Sequence, residues 1–386
     1  MSDLSLPFQQ AKSQLPVSSY FDEALYAREM ATLFKNGPRY VGHSLSVPEP
    51  GDFYALPQES GGRALVHTPR GVELISNVCR HRQALILQGR GRLPSQAAGN
   101  IVCPLHRWTY AANGQAPAGT LLGAPHFAQD PCLSLHNYPL QEWNGLLFEQ
   151  HGGLDTRAAL AALETNPQRH LLQFDGFALD HVEMHECNYN WKTFIEVYLE
   201  DYHVGPFHPG LGGFVTCDSL QWQFGPEFSV QTVGAAPRLG KAGTGLDAGS
   251  PVYQRWQEVL MKYRGGEVPQ HGAVWLTYYP HVMVEWYPHV LTVSTLHPMG
   301  PQKTMNMVEF YYPEEIAAFE REFVEAQRAA YMETCVEDDE IALRMDAGRK
   351  ALMQRGDNEV GPYQSPMEDG MQHFHEWYRH KMQGTL

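Results

Sequence analysis

The sequence predicts an α+β protein: a helical segment over residues 1–38, an all-β domain over 39–155 and a mixed α+β domain over 156–386. Three observations predict it. Short apolar runs broken by turn residues, such as "RALVHT", "GVELISNV" and "NGLLFEQ", fill the first part after residue 38. Helical periodicity dominates 313–352. Between them, "HGGLDTRAALAALE" at 151–164 reads as a linker followed by a short helix.

The elements follow in order. "SYFDEALYAREMATLF" (19–34) spaces Phe21, Leu25, Tyr26, Met30 and Leu33 as one helical face, and "NGP" at 36–38 ends it. "NYNWKTFIEVYLEDYH" (188–203) predicts a helix with Trp191, Phe194, Ile195, Tyr198 and Tyr202 inward. Strands punctuated by prolines occupy 273–298, and Pro313 with Glu314 and Glu315 opens the helical stretch. "GKAGTGLDAG" (240–249) lacks the dinucleotide spacing and reads as a loop.

Bulk properties exclude several classes. The 386 residues carry a formal charge of −15, which disfavours nucleic-acid and anionic-membrane partners. Nowhere do about eighteen apolar residues run together, and the N-terminus lacks the basic and apolar regions of an export signal. A cytoplasmic location is expected. Six cysteines in so long a chain do not make a disulfide scaffold, and a reducing compartment favours metal ligation.

Cys79, His81, Cys103 and His106 form C-x-H followed by C-x-x-H. Zinc sites usually pair Cys with Cys or His with His. Here each pair mixes the two. That suits a [2Fe–2S] cluster with thiolates on one iron and neutral imidazoles on the other, which raises its potential. The bland alternative is two half-buried cysteines beside surface histidines.

His203 and His208 stand five apart with Gly205 and Pro206 between them. An unbroken helix would point them about 140° apart. A break at Gly205–Pro206 lets both rings converge on one ion, and two His with one carboxylate leave positions open for oxygen chemistry.

"CPLHRWTYAANG" and "CRHRQALI" resemble the two ligand loops of Rieske proteins, although that family usually has Gly where Gln83 and Arg107 stand. "NWK…EDYHVGPFH" resembles the mononuclear-iron motif of Rieske non-haem iron oxygenase α subunits, and the likeness covers nearly the whole chain. The resemblance implies a Rieske [2Fe–2S] domain plus a helix-grip-like catalytic domain, and a mononuclear Fe(II) held by His203, His208 and a downstream acid near a helix start. Family spacing favours Asp338 over Asp339 and puts Asp346 in the place of a family Gln. Glu337 and Glu340 read as a solvated helix N-terminus. Glu200 corresponds to an acid that links one subunit's cluster, through His106, to His203 of the next. Asn190 matches an Asn beside the iron, expected behind its ligands and not on the metal, and Asp201 reads as a surface or interface charge.

The implied activity is terminal oxygenation of a small organic substrate with O2. Electrons would come from a separate ferredoxin or flavin reductase, because no nicotinamide or flavin motif is present, and the assembly would be a homotrimer, with a small β subunit possible. An aromatic ring ranks first as substrate and a choline- or carnitine-like quaternary amine second. Trp275, Tyr278, Tyr279, Trp286 and Tyr287 are candidates to enclose either one. A different class, an electron-transfer Rieske protein with a binding domain, would carry the cluster without the second iron.

Overall fold

A computed structural model describes residues 14–95, 99–114, 116–124, 130–237, 239 and 249–383. The expected loop at 240–249 lies outside these residues except for Gly249. Two compact units emerge: Pro38–Arg157, and a second made of the chain before it with the chain from Ala158 onward.

The first unit is all β. Its strands are β1 (Tyr40–His43), β2 (Asp52–Ala55), β3 (Arg63–Thr68), β4 (Gly71–Ser76), β5 (Arg90–Arg92), β6 (Ile101–Val102), β7 (Thr109–Tyr110), β8 (Leu121–Gly123), β9 (Asn137–Tyr138), β10 (Leu140–Trp143) and β11 (Leu146–Glu149). They form three antiparallel sheets, ordered β5-β2-β3-β4-β9, β1-β11-β10 and β6-β7-β8. Turn chemistry explains the brevity. Between β3 and β4, Pro69 follows Thr68, whose hydroxyl accepts from Arg70 N–H at 3.0 Å. Ala64, Val66, Ile75, Ile101, Trp108 and Tyr110 share one core with Cys79 and Cys103.

A short helix, α2 (Thr156–Ala159), follows this unit, and α1 (Glu23–Glu29) precedes it, capped by Asp22 accepting from Leu25 N–H at 2.7 Å. α1 continues as a wider turn over Met30–Phe34, so Leu25 and Leu33 stay buried as the periodicity predicts.

The second unit centres on a seven-stranded antiparallel sheet. Its strands are β12 (Phe177–Cys187), β13 (Val215–Phe224), β14 (Phe228–Ala235), β15 (His271–Tyr278), β16 (Val282–Tyr287), β17 (Val290–Gly300) and β18 (Lys303–Pro313), ordered β12-β18-β17-β16-β15-β14-β13. The helices are α3 (Trp191–Tyr198), α4 (Val204–Phe207), α5 (Pro251–Tyr263), α6 (Glu314–Phe319), α7 (Arg321–Arg355) and α8 (Asp369–Met382). One sheet face sends Val233, Val308 and Phe310 against Trp256 of α5 and Phe323 and Val324 of α7. Trp191 of α3 and Phe374 and Tyr378 of α8 cover Met283 and Leu296.

Three local expectations are corrected. The helix opening at Trp191 stops at Tyr198, and Tyr202 is exposed. The cause is Glu200, whose carboxylate accepts from Tyr202 N–H at 2.7 Å and His203 N–H at 3.2 Å, diverting donors that helix carbonyls would use. Gly205 and Pro206 do not break a helix after His203 but lie inside α4, Pro206 in a first turn where its missing N–H costs nothing. Finally, "EDDE" (337–340) is neither a helix start nor a solvated N-terminus, because it sits in the middle of the 35-residue α7.

Candidate metal centres

In the β unit, the two loops repeat one design. Cys79 N–H donates to Ala84 O and Cys103 N–H to Trp108 O, at 2.9 and 2.8 Å. Four residues beyond each Cys, Gln83 and Arg107 donate back to the Cys carbonyls at 3.0 and 3.1 Å. Both adopt positive φ, 54° and 59°, a conformation that glycine reaches without strain. Cys79 and Cys103 are buried, while His106 is exposed and His81 half-buried. The imidazoles of His81 and His106 lie side by side, ring centroids 4.7 Å apart, with His81 stacked on Trp108 at 4.9 Å. Burial pushes the Cys79 thiol up, but hydrogen bonds from its surroundings, led by Tyr110 at 3.3 Å, outweigh it and hold the thiol below its usual range. Inner thiols and outer imidazoles make a donor set that fits a mixed-ligand cluster.

In the larger unit, His203 and His208 flank α4, and their Nε2 atoms approach to 2.9 Å. Asp338 Oδ1 lies 2.9 Å from His208 Nε2 and 3.4 Å from His203 Nε2. Each outer nitrogen is held by a carboxylate: His203 Nδ1 by Glu200 at 2.5 Å, His208 Nδ1 by Glu337 at 2.7 Å. Burial alone would keep His203 neutral, yet Asp338 and Glu200 lift its imidazole to about 10. Two nitrogens and one oxygen converging, with the outer nitrogens anchored, fit a divalent metal that leaves positions free.

Successive residues of α7 serve different partners. Asp338 faces the two histidines. Asp339 instead accepts from Tyr189 OH and bonds His185 Nε2, both at 2.7 Å. Glu337, expected as a solvated charge, orients His208. Asp346 accepts from Asn190 N–H at 3.2 Å and Thr193 OH at 2.7 Å, at the N-terminus of α3. Asn190 itself caps α3, its carbonyl accepting from Lys192 N–H and its amide donating to Tyr20 O and Pro301 O. It does not line the cavity at the three converging residues.

That cavity holds the surprises. Phe194 and Tyr198, read as core, line it. So do Trp275 and Tyr287, whereas Tyr278, Tyr279 and Trp286 do not. Asp201, expected on the surface, is buried within it and accepts from Gln231; burial lifts its carboxyl to about 7. Glu285, unremarked in the sequence, is buried there too. The available signal is a lone acid within the apolar strand "VMVEWY".

Residues 174–384, more than half of the chain, match the ring hydroxylating alpha subunit (catalytic domain) family, and residues 40–132 match the Rieske [2Fe-2S] domain. The chain belongs to the Rieske oxygenase α subunits. It is a terminal oxygenase that carries a Rieske [2Fe–2S] cluster and a mononuclear iron. Among relatives, this oxygenase is 64% identical to a putrescine 2-hydroxylase of Ralstonia nicotianae, over 99% of this chain and 100% of that one. It is 60% identical to a putrescine 2-hydroxylase of Bordetella bronchiseptica, over 97% and 86%. Its fold is similar to that of the quaternary ammonium Rieske monooxygenase CntA, with TM-score 0.73, 19% identity and coverage of 97% and 96%. Among the described residues no helix is long and apolar enough to cross a membrane.

Proposed function

We propose that this oxygenase hydroxylates a saturated carbon of a small aliphatic diamine of the putrescine type. The observation that carries the reading is the charge of the cavity. Glu200 and Asp338 line it but are engaged with His203 and His208; Asp201 and Glu285 add two further carboxylates, and no lysine or arginine lines it among the described residues. Such a pocket suits a small dication, and the two highly identical relatives are named for a diamine. The aromatic substrate ranked first from the sequence gives way for a physical reason. A neutral ring would leave Glu285 and Asp201 buried without a counter-charge, which is costly.

In this reading Cys79, Cys103, His81 and His106 hold the cluster, and His203, His208 and Asp338 hold the iron. An iron held there would supply O2 activation, and the net reaction would put one oxygen into a substrate C–H bond and release the other as water, for two electrons and two protons. The protein's own part is positioning. Glu200 and Glu337 fix the ring orientation and tautomer of His203 and His208. In a head-to-tail homotrimer Glu200 would also lie between His203 and the exposed His106 of a neighbouring copy, the place for an electron bridge, and a separate ferredoxin or flavin reductase would be the electron donor.

A second reading, oxidation of a quaternary amine, draws on the aromatic wall of Trp275, Tyr287 and Tyr331, which suits a bulky cation. Turnover with a generic reductase decides between them. Putrescine is expected to give hydroxylated product in step with O2 consumed, naphthalene and carnitine uncoupled uptake at most. Coupled product from naphthalene or carnitine but not putrescine overturns the proposal. For the metal assignment, Asp338→Ala is expected to lower iron from about three to about two per chain, keep the cluster absorbance and abolish hydroxylation. An active Asp338→Ala enzyme with full iron content overturns it.

A further inference from the structure

We propose that Glu285, walled by Trp275, Tyr287 and Tyr331, is the seat of a terminal ammonium of the substrate and sets which amines are accepted. This rests on the reading of the substrate as a diamine.

The site is built by strand alternation. Glu285 and Tyr287 are two apart on β16 and share a face, and the register sets Trp275 of β15 directly opposite Glu285. Tyr331 reaches the carboxylate from α7. Tyr331 OH donates to Glu285 Oε1 and Tyr287 OH to Oε2, each at 2.9 Å. Trp275 Nε1–H in turn donates to Tyr287 OH at 3.0 Å. Every one of these donors is neutral.

Each carboxylate oxygen has two lone-pair directions. Tyr331 and Tyr287 take one apiece; the Thr292 and Tyr198 hydroxyls lie beside the carboxylate without a hydrogen bond to it, which leaves its remaining lone pairs for an ammonium with three donors and a full charge. The surrounding rings offer π faces to the same cation. Glu285 is 1% exposed and shares the cavity with His203, His208 and Asp338, so whatever it binds is held beside the reacting centre. Burial lifts its carboxyl to about 7 despite the tyrosine hydrogen bonds. Among the described residues no ion pair to Glu285 is formed by Lys, Arg or His. The missing cation is the substrate's.

The test compares putrescine with 1-aminobutane, which keeps the carbon chain and lacks the second ammonium, on the reconstituted holoenzyme. Wild type is expected to prefer putrescine by about 10²-fold in kcat/KM, the scale of leaving one partner of a buried charge pair alone. In Glu285→Gln the preference is expected to collapse to within about fivefold, through KM for putrescine, with iron content and cluster absorbance unchanged. Glu285→Asp retracts the carboxylate by one methylene and is expected to shift preference toward 1,5-diaminopentane. It serves equally if the Gln variant fails to fold. Retention in Glu285→Gln of the wild-type preference for putrescine over 1-aminobutane, or in Glu285→Asp of an unchanged ratio between putrescine and 1,5-diaminopentane, overturns the assignment while leaving the diamine reading intact. A wild type that hydroxylates neither amine overturns both.

Discussion

Around α3, Glu196 lies between Arg349, at 2.5 Å, His375, at 2.8 Å, and the hydroxyl of Tyr20, whereas in the cavity Glu285 meets only neutral hydroxyl donors. Both carboxylates are 1% exposed. For each, burial is the leading influence on the carboxyl and works to raise it. Around Glu196 the cations outweigh burial and bring the carboxyl down to about 2; around Glu285 burial wins and lifts it to about 7. Lys192 also has a partner built into the chain, its ammonium 2.7 Å from Glu29, although there burial prevails and pulls the ammonium below its usual range. A charge whose partners are built into the chain ties the fold together. One whose partner is missing marks where the substrate brings it.

The largest effect is expected where the internal pair is broken. Arg349 spans the Glu196 carboxylate, Thr193 OH at 2.9 Å and the ring of Tyr20 at 3.8 Å. Arg349→Met leaves Glu196 with only His375 and the Tyr20 hydroxyl and is expected to destabilise the catalytic unit by about 3–5 kcal/mol, read from its urea midpoint. A loss under about 1 kcal/mol would show the network to be ornamental. The wild-type contribution is also pH-dependent. Glu196 titrates near 4.5 when unfolded and near 2 when folded, so its stabilisation is complete above 4.5 and disappears as pH falls through 2.

Glu285→Gln is expected to act in the opposite sense on the substrate-free protein. Between pH 4.5 and about 7 the folded chain keeps a proton on Glu285 that the unfolded chain has released, so stability falls as pH rises through that window. The gap corresponds to about 3 kcal/mol at most. The Gln variant is therefore expected to melt higher than wild type at pH 8 and equally at pH 4, and to lose most of the stabilisation that putrescine gives wild type. Equal melting at both pH values would remove the claim that Glu285 is held under electrostatic strain.

How much of this was legible in the sequence follows from how local each feature is. The cluster quartet is legible because each Cys–His pair lies within one tight loop, closed by hydrogen bonds between residues four or five apart. The approach of His203 to His208 is legible from their spacing, but its means is not. The chain turns before His203, through the Glu200 side chain, and not at Gly205–Pro206. The choice between Asp338 and Asp339 depends on a rotation of about 100° along α7, which adjacent identical residues cannot reveal. Glu285 was invisible for another reason. Among Trp275, Tyr278, Tyr279, Trp286 and Tyr287, residue type is uniform and only sheet parity decides which rings meet the cavity. A sequence that does not sort the rings does not show which of them surround Glu285, so the pattern alone favours an aromatic ligand.

The smallest effect offers an uncharged control on the contrast between Glu196 and Glu285. Gln83 holds φ 54° in the first cluster loop, which costs a non-glycine residue about 1 kcal/mol, and its backbone N–H is already satisfied by Cys79 O at 3.0 Å. Gln83→Gly relieves that strain but frees the unfolded chain, which takes back about half of the gain. The expected net is a stabilisation of about 0.5 kcal/mol, seen as a slightly higher temperature for loss of the cluster's visible absorbance. Because no ionisable group changes, the shift is expected to be the same at pH 6 and pH 8. A pH-dependent shift, or a loss above about 1 kcal/mol, would mean that the Gln83 side chain itself supports the loop.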